Sequence, residues 1–146
     1  MQTLLLVEDN PDDQFIMKRA LKSAGVLNPL HILDDGQLAI DYLEGVGVYC
    51  DRSKYPLPAL IFLDLNLPFK SGFDVLKWVR ARAEFKGIVI VVLTSSEHLV
   101  DISAAYQAGA NSYLVKPPRA EDLMEMAKSF KWYWMIYNRF ETVPSL

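Results

Sequence analysis

The chain has 146 residues, 51% of them hydrophobic and 23% charged, and its 18 acids against 15 Lys plus Arg leave a net charge near -3. That describes one globular domain with a core of its own, since a chain of this size buries about two-thirds of its unfolded surface. It excludes a disordered chain, a binder of nucleic-acid backbones, which needs a basic excess, and a disulfide scaffold, for which the lone Cys50 is insufficient.

The opening Met1 to Asp9 carries no basic leader, and no later run approaches the ~20 apolar residues of a membrane span, so a soluble cytoplasmic protein is expected. Thr3 to Val7 reads as a buried strand. Asn10-Pro11 then opens a helix with an N-cap and a first-turn proline, Asp12 and Asp13 suit its positive end, and Gly25 closes it. Met17, Ala20, Leu21 and Ala24 give that helix its buried stripe. A second strand at Leu30 to Leu33 and a helix at Gln37 to Leu43 follow. Glu44 to Pro58, with Gly45, Gly47, Pro56 and Pro58, has neither helical nor alternating period and reads as an extended surface loop.

Ala59 to Leu63 is the third strand and Phe73 to Arg82 the third helix. Ile88 to Leu93, β-branched and apolar on both faces, belongs mid-sheet. A helix at Leu99 to Ala108, with Ser96 before it and Gly109 after it, leads to the fifth strand, Ser112 to Val115, and to a long helix at Ala120 to Asn138. Five strand-then-helix units predict an α/β fold, a doubly wound parallel sheet with helices on both faces. Residues 1–139 form the expected domain and 140–146 a tail, with no output domain.

In such sheets reactive groups gather where the strands end at their carboxyl side. Those ends carry Glu8-Asp9, Asp64-Leu65-Asn66, Thr94-Ser95-Ser96 and Lys116-Pro117: three carboxylates, a hydroxyl and an ammonium. Carboxylates so placed repel unless a cation compensates, and a hard divalent ion with oxygen ligands, most simply Mg²⁺, is the natural remedy.

This set resembles the receiver domain of two-component response regulators over nearly the whole chain. The matching residues are Glu8-Asp9, Asp64 with Pro68 and Gly72, Thr94-Ser95, Tyr113 and Lys116-Pro117. The intervals agree as well, from Asp64 to Thr94 (94 − 64 = 30) and from Thr94 to Lys116 (116 − 94 = 22). The resemblance implies a flavodoxin-like fold with five strands in the order 2-1-3-4-5 and five helices. It implies that Asp64 accepts a phosphoryl group from a sensor histidine kinase, with self-catalysed transfer and slow hydrolysis rather than enzymatic turnover. Mg²⁺ would be held by Asp9, Asp64 and the carbonyl of Asn66, with Glu8 acting through water. Lys116 would pair with a phosphoryl oxygen, and Thr94 would donate its hydroxyl to another. Thr94 moving inward would vacate space for Tyr113, repacking helix four, strand five and helix five into a surface that a partner reads. The Lys116-Pro117 bond would be cis by the same analogy.

The opening Leu-Leu-Val-Glu-Asp-Asn-Pro-Asp-Asp, the Gly-Ala-Asn-Ser-Tyr-Leu-Val-Lys-Pro segment and the long second loop further resemble stand-alone regulators that serve phytochrome-type kinases. Those motifs also occur in regulators of other kinases, and a histidine phosphotransfer protein is a further partner the resemblance allows.

Each residue has a plainer reading. Asp9 or Asn10 caps the first helix, Thr94 is structural, Lys116 is a solvated charge and Tyr113 an ordinary strand residue. Their coincidence at successive strand ends weighs against these plainer roles. His31 and His98 lack metal-ligand spacing with each other or with Cys50, which argues against a zinc site. Two functional alternatives stand beside the receiver: a Mg²⁺-dependent dehalogenase-type phosphatase and a phosphorylation-independent scaffold. The first resembles the chain in its strand-end aspartate but needs a second aspartate two residues on as general acid, where this chain has Asn66.

In the last helix Leu123, Met126, Ala127, Phe130, Tyr133, Trp134 and Tyr137 form one stripe at 3.6-residue spacing, enough to cover the sheet. Trp132 and Ile136, flanked by Met135, fall on the opposite side. This outer face, with helix four and strand five, is expected to form a homodimer or kinase contact, against scattered surface apolars or a tail folded back from Phe140.

Overall fold

A computed structural model describes residues 1–141. Its five parallel strands are β1 (Leu4–Val7), β2 (Leu30–Leu33), β3 (Leu60–Leu63), β4 (Val89–Thr94) and β5 (Ser112–Val115), in the order β2-β1-β3-β4-β5. The expected flavodoxin-like order and the mid-sheet place of the fourth strand are both found. Five helices alternate with them: α1 (Pro11–Ser23), α2 (Gly36–Glu44), α3 (Gly72–Arg80), α4 (Leu99–Gln107) and α5 (Ala120–Phe130).

Successive strand residues point to opposite faces, so each strand feeds two cores. Leu5, Val7, Ile61, Leu63, Ile90 and Val92 meet α2, α3 and Ala105 of α4 on one face. Leu4, Leu6, Leu60, Phe62, Val91 and Leu93 meet Met17, Ala20 and Leu21 of α1 and Leu123, Ala127 and Phe130 of α5 on the other. The predicted stripe of α1 is therefore buried, and Gly25, at φ 85, turns the chain away after that helix. Gly72 is required for a different reason: a Cβ there would lie 2.2 Å from the carbonyl oxygen of Asp64, so only glycine lets α3 start directly beneath the end of β3.

Two elements differ from expectation. The Glu44 to Pro58 segment lies at the surface as expected, but it is not an extended loop. It makes a short 3-10 turn at Gly47–Cys50 and packs Tyr49, Tyr55 and Leu57 on the core. Arg52 donates to the carbonyls of Tyr42 and Leu43, both at 2.7 Å, satisfying the open end of α2. Tyr42 is buried, which pushes its phenol up to about 12, and its hydroxyl donates to the carbonyl of Pro56 at 2.8 Å. Hydrophobic period alone missed this, because the loop is held by aromatic rings and an arginine, with Tyr49 and Tyr55 5.1 Å apart.

The last helix is also not one helix. α5 ends at Phe130, and Lys131–Tyr137 continues as a π-helix, its wider turn visible in the 2.7 Å bond from Asn138 N–H to the carbonyl of Tyr133. That change of pitch breaks the predicted stripe. Trp134 and Met135 join the α1/α5 core, while Tyr133 and Tyr137 are turned outward, 61% and 72% exposed. Trp132 and Ile136 are exposed, as expected of an outer face. Phe140 stacks on Trp134, so the start of the 140–146 tail covers the core side rather than Trp132. The remainder of that tail, 142–146, lies outside the described residues.

Candidate functional site

The strand ends converge on one rim, and each reactive side chain is set there by a backbone bond just beyond its strand. Glu8 N–H donates to the Leu33 carbonyl at 3.0 Å, Asp64 N–H to that of Val7 at 3.1 Å and Lys116 N–H to that of Thr94 at 2.8 Å. β1 and β3 are neighbours where the strand order reverses, which puts Glu8-Asp9 beside Asp64. One carboxylate oxygen from each of Glu8, Asp9 and Asp64 lies within 4.8 Å of the others.

The capping question is settled by Asn10, whose Oδ1 accepts from the N–H groups of Asp12 and Asp13 at 2.9 and 3.1 Å. Asp9 is left exposed within the acidic group. Asp64 is 7% exposed and has both oxygens engaged: Oδ1 accepts from the Thr94 hydroxyl and from Asn66 N–H, both at 3.1 Å, and Oδ2 accepts from Lys116 at 2.8 Å.

Lys116 is not a solvated charge. Its ammonium donates to Glu8, to Asp64 and, at 3.1 Å, to Asp13. Asp13 is the residue that sequence reasoning missed, having been read only as a partner for the helix dipole. The signal was its position, since the first turn of a helix capped at Asn10 has to face the end of β1. The Lys116-Pro117 bond is trans, because no described peptide bond is cis, which corrects the expected cis bond. Trans is the intrinsic preference of an X-Pro bond by about 0.5 to 1 kcal/mol, and in that form the side chain already reaches all three carboxylates.

Burial pushes the Glu8 carboxyl up to about 7, and the negative charge of Asp64 adds to this against the opposing hydrogen bond from Lys116. Burial pulls Lys116 down, but its hydrogen bonds to Asp64 and Glu8 outweigh that and hold it well above the usual lysine range. Three carboxylates thus share one ammonium and a fourth, Asp9, lies beside two of them, and an excess of hard oxygen donors around too little positive charge fits a divalent cation. A raised Glu8 makes protons compete with that cation. Affinity for a divalent metal should fall as pH drops below about 7, approaching tenfold per unit, and Glu8→Gln should flatten the profile. A metal titration followed by intrinsic fluorescence at several pH values checks this.

A second line of contacts leads away from Asp64. Thr94 is fully buried, Tyr113 donates its hydroxyl to the Ser96 carbonyl at 2.9 Å, and the Ser96 hydroxyl donates to Asp101 in α4 at 2.6 Å. Tyr113 is half-buried against the α2/α3/α4 core, so the end of β4 is tied both to α4 and to β5. Trp132 and Ile136 are not part of this site. They lie on the π-helical segment, whose Lys131 reaches Gly25 beyond the far end of α1. His31 is packed among Tyr42 and Tyr55, and Cys50 is exposed and free.

Residues 4–128 match the family model described as the response regulator receiver domain. Response regulator Rcp1 of Synechocystis sp. is 37% identical over 134 residues, covering 92% of this chain and 89% of that protein. Its Mn²⁺-bound crystal structure superposes with a TM-score of 0.87 at 34% identity over 97% of this chain and all of the other. The probable methanogenesis regulatory protein FilR2 of Methanothrix harundinacea is 39% identical over 139 residues, 93% of this chain and 85% of that protein. The phosphorylated cyanobacterial phytochrome response regulator RcpA has a TM-score of 0.89 and 31% identity, over 97% of this chain and 99% of that one. No helix among the described residues is long and apolar enough to cross a membrane.

Proposed function

The chain belongs to the response regulator receiver domain family of two-component signalling, and we propose that it accepts a phosphoryl group on Asp64 from a sensor histidine kinase and signals through protein contacts in the cytoplasm. The observation that carries this is the set of contacts on one carboxylate: an ammonium on one oxygen and a buried hydroxyl on the other, beside two further acids at the carboxyl edge of the sheet. Asp64 acts as nucleophile. The new bond joins its carboxylate oxygen to phosphorus as the donor's bond to phosphorus breaks, and charge on the equatorial oxygens has to be neutralised. Lys116 provides one of those charges and Thr94 a neutral donor. Mg²⁺, held by Asp9, Asp64 and the Asn66 carbonyl with Glu8 behind them, would supply the rest of the neutralisation when bound. The Mn²⁺-bound state of Rcp1 supports a divalent ion in a relative. Intact mass after incubation with a small acyl phosphate, with and without Mg²⁺, tests the reading.

Likeness to RcpA supports a phytochrome-type kinase as donor, with onward relay to a histidine phosphotransfer protein as a second route. The phosphatase alternative gains nothing from the geometry. Asn66, at the position where a general acid is needed, has an amide side chain that cannot deliver a proton.

Thr94 couples the acceptor to the surface. Thr94→Ala removes one of two donors to Asp64 Oδ1, and Asn66 N–H remains. The variant should fold with a loss of about 1 kcal/mol and still take up phosphate. It should lose the phosphorylation-induced change in Tyr113 that near-ultraviolet circular dichroism reads in the wild type, and an undiminished change would refute the coupling.

The exposed Trp132 and Ile136, now joined by Tyr133 and Tyr137, support a homodimer through the segment after α5. Light scattering should give a dimer that Trp132→Glu splits without unfolding it. A wild type that is monomeric at all concentrations, phosphorylated or not, rules the dimer out.

A further inference from the structure

We propose that Asp13 is a positioning residue for Lys116, a displaceable acceptor that holds the ammonium at the mouth of the site and gives up its place to a phosphoryl oxygen. The inference rests on Asp64 being the phosphoryl acceptor. An ammonium has three N–H donors, and Glu8, Asp64 and Asp13 occupy them. None is free for a fourth acceptor, so one contact opens when a phosphoryl oxygen arrives. The three differ in what opening costs. The Glu8 side chain is 4% exposed, and releasing it leaves a buried carboxyl unpaired, whereas Asp64, 9% exposed, passes its charge to the phosphoryl oxygens it then carries, so Lys116 follows that charge and stays beside the residue. Asp13 is 43% exposed and exchanges Lys116 for water at little cost.

Its placement is also fixed in advance. The Asn10 cap takes the Asp13 N–H, so the carboxylate projects from an ordered first turn rather than from a mobile loop. Asp12 receives the same cap but forms no ion pair among the described residues, which makes it an internal control for helix-dipole and general charge effects. The Asp13–Lys116 pair belongs to the unphosphorylated form, and the Asp13 charge also opposes an arriving anion. Both effects favour the empty site, and removing the carboxylate should shift the balance toward the occupied one.

Beryllofluoride with Mg²⁺, a mimic of the phosphoryl group, is titrated by intrinsic fluorescence against the wild type, Asp13→Asn, Asp13→Glu and Asp12→Asn. Asp13→Asn should bind about three- to tenfold more tightly, Asp13→Glu should return to the wild-type value, and Asp12→Asn should stay within about twofold of it. Unchanged or weaker binding in Asp13→Asn, an equal gain in Asp12→Asn, or an equal gain in Asp13→Glu overturns the proposal. If the wild type binds no beryllofluoride, the phosphoacceptor reading fails with it. Wild-type binding with an unaltered Asp13→Asn removes only the role of Asp13.

Discussion

Asp64→Asn should gain no phosphoryl mass from a small acyl phosphate under conditions where the wild type gains one group per chain in a Mg²⁺-dependent reaction. The substitution keeps size and shape but replaces one oxygen with an amide nitrogen, and the neutral amide is a poor nucleophile toward phosphorus. The side-chain oxygen can still accept from Thr94 and Asn66 N–H, so the packing of the rim is preserved. The amide nitrogen would face Lys116, donor against donor across the 2.8 Å contact. That contact is lost, but Glu8 and Asp13 still hold the ammonium, which argues for a folded and testable variant. Labelling of Asp64→Asn equal to that of the wild type would place the acceptor elsewhere. Catalytic release of phosphate by the wild type, many turnovers per chain, would instead favour the phosphatase reading.

The parts of this molecule legible in the sequence are those set by period and by strand polarity. Ile88 to Leu93 is apolar at every position because β4 is covered on both faces, and Asp64 follows an apolar run because it ends β3. Alternation of strand and helix then fixes which ends meet. Contacts between side chains distant in sequence were not legible, since no local pattern states them. Asp13 on Lys116 is separated by 103 residues, and Arg80 on Asn111 by 31. The π-helix at Lys131–Tyr137 escaped for another reason. A 3.6-residue period carries no mark of where the turn widens, and Trp134 stacks on Phe140 from within the wider segment. The stripe therefore held as far as Phe130, and failed at Tyr133 and Tyr137. The trans Lys116-Pro117 bond marks where family analogy, rather than residue chemistry, carried the expectation.

Lys116→Met should lose phosphoryl acceptance and, in the absence of divalent metal, about 3 kcal/mol of folding stability. The Lys116 side chain is only 18% exposed, and its charge is what Glu8 and Asp64 have in place of water. Methionine fills a similar volume without donors or charge, so both carboxylates stay buried with less to compensate them. Adding Mg²⁺ should recover much of the loss, because a cation that binds only the folded form stabilises it by mass action. The pH dependence has a definite sign. Glu8 has a folded pKa raised from 4.5 to about 7, so the folded state binds more protons than the unfolded state across that window. Its contribution to stability is thus fully present below about 4.5 and is lost as pH rises through about 7. Without Lys116 the carboxyl rises further, because a lowering influence is gone, and the window of loss extends upward. The deficit of Lys116→Met relative to the wild type should accordingly be largest above pH of about 7 and shrink as the solution is acidified. Urea denaturation of the metal-free proteins at several pH values, repeated with Mg²⁺, measures it. A deficit that is the same at every pH and indifferent to Mg²⁺ would mean that Lys116 contributes by packing alone, and that the acidic rim does not depend on its charge.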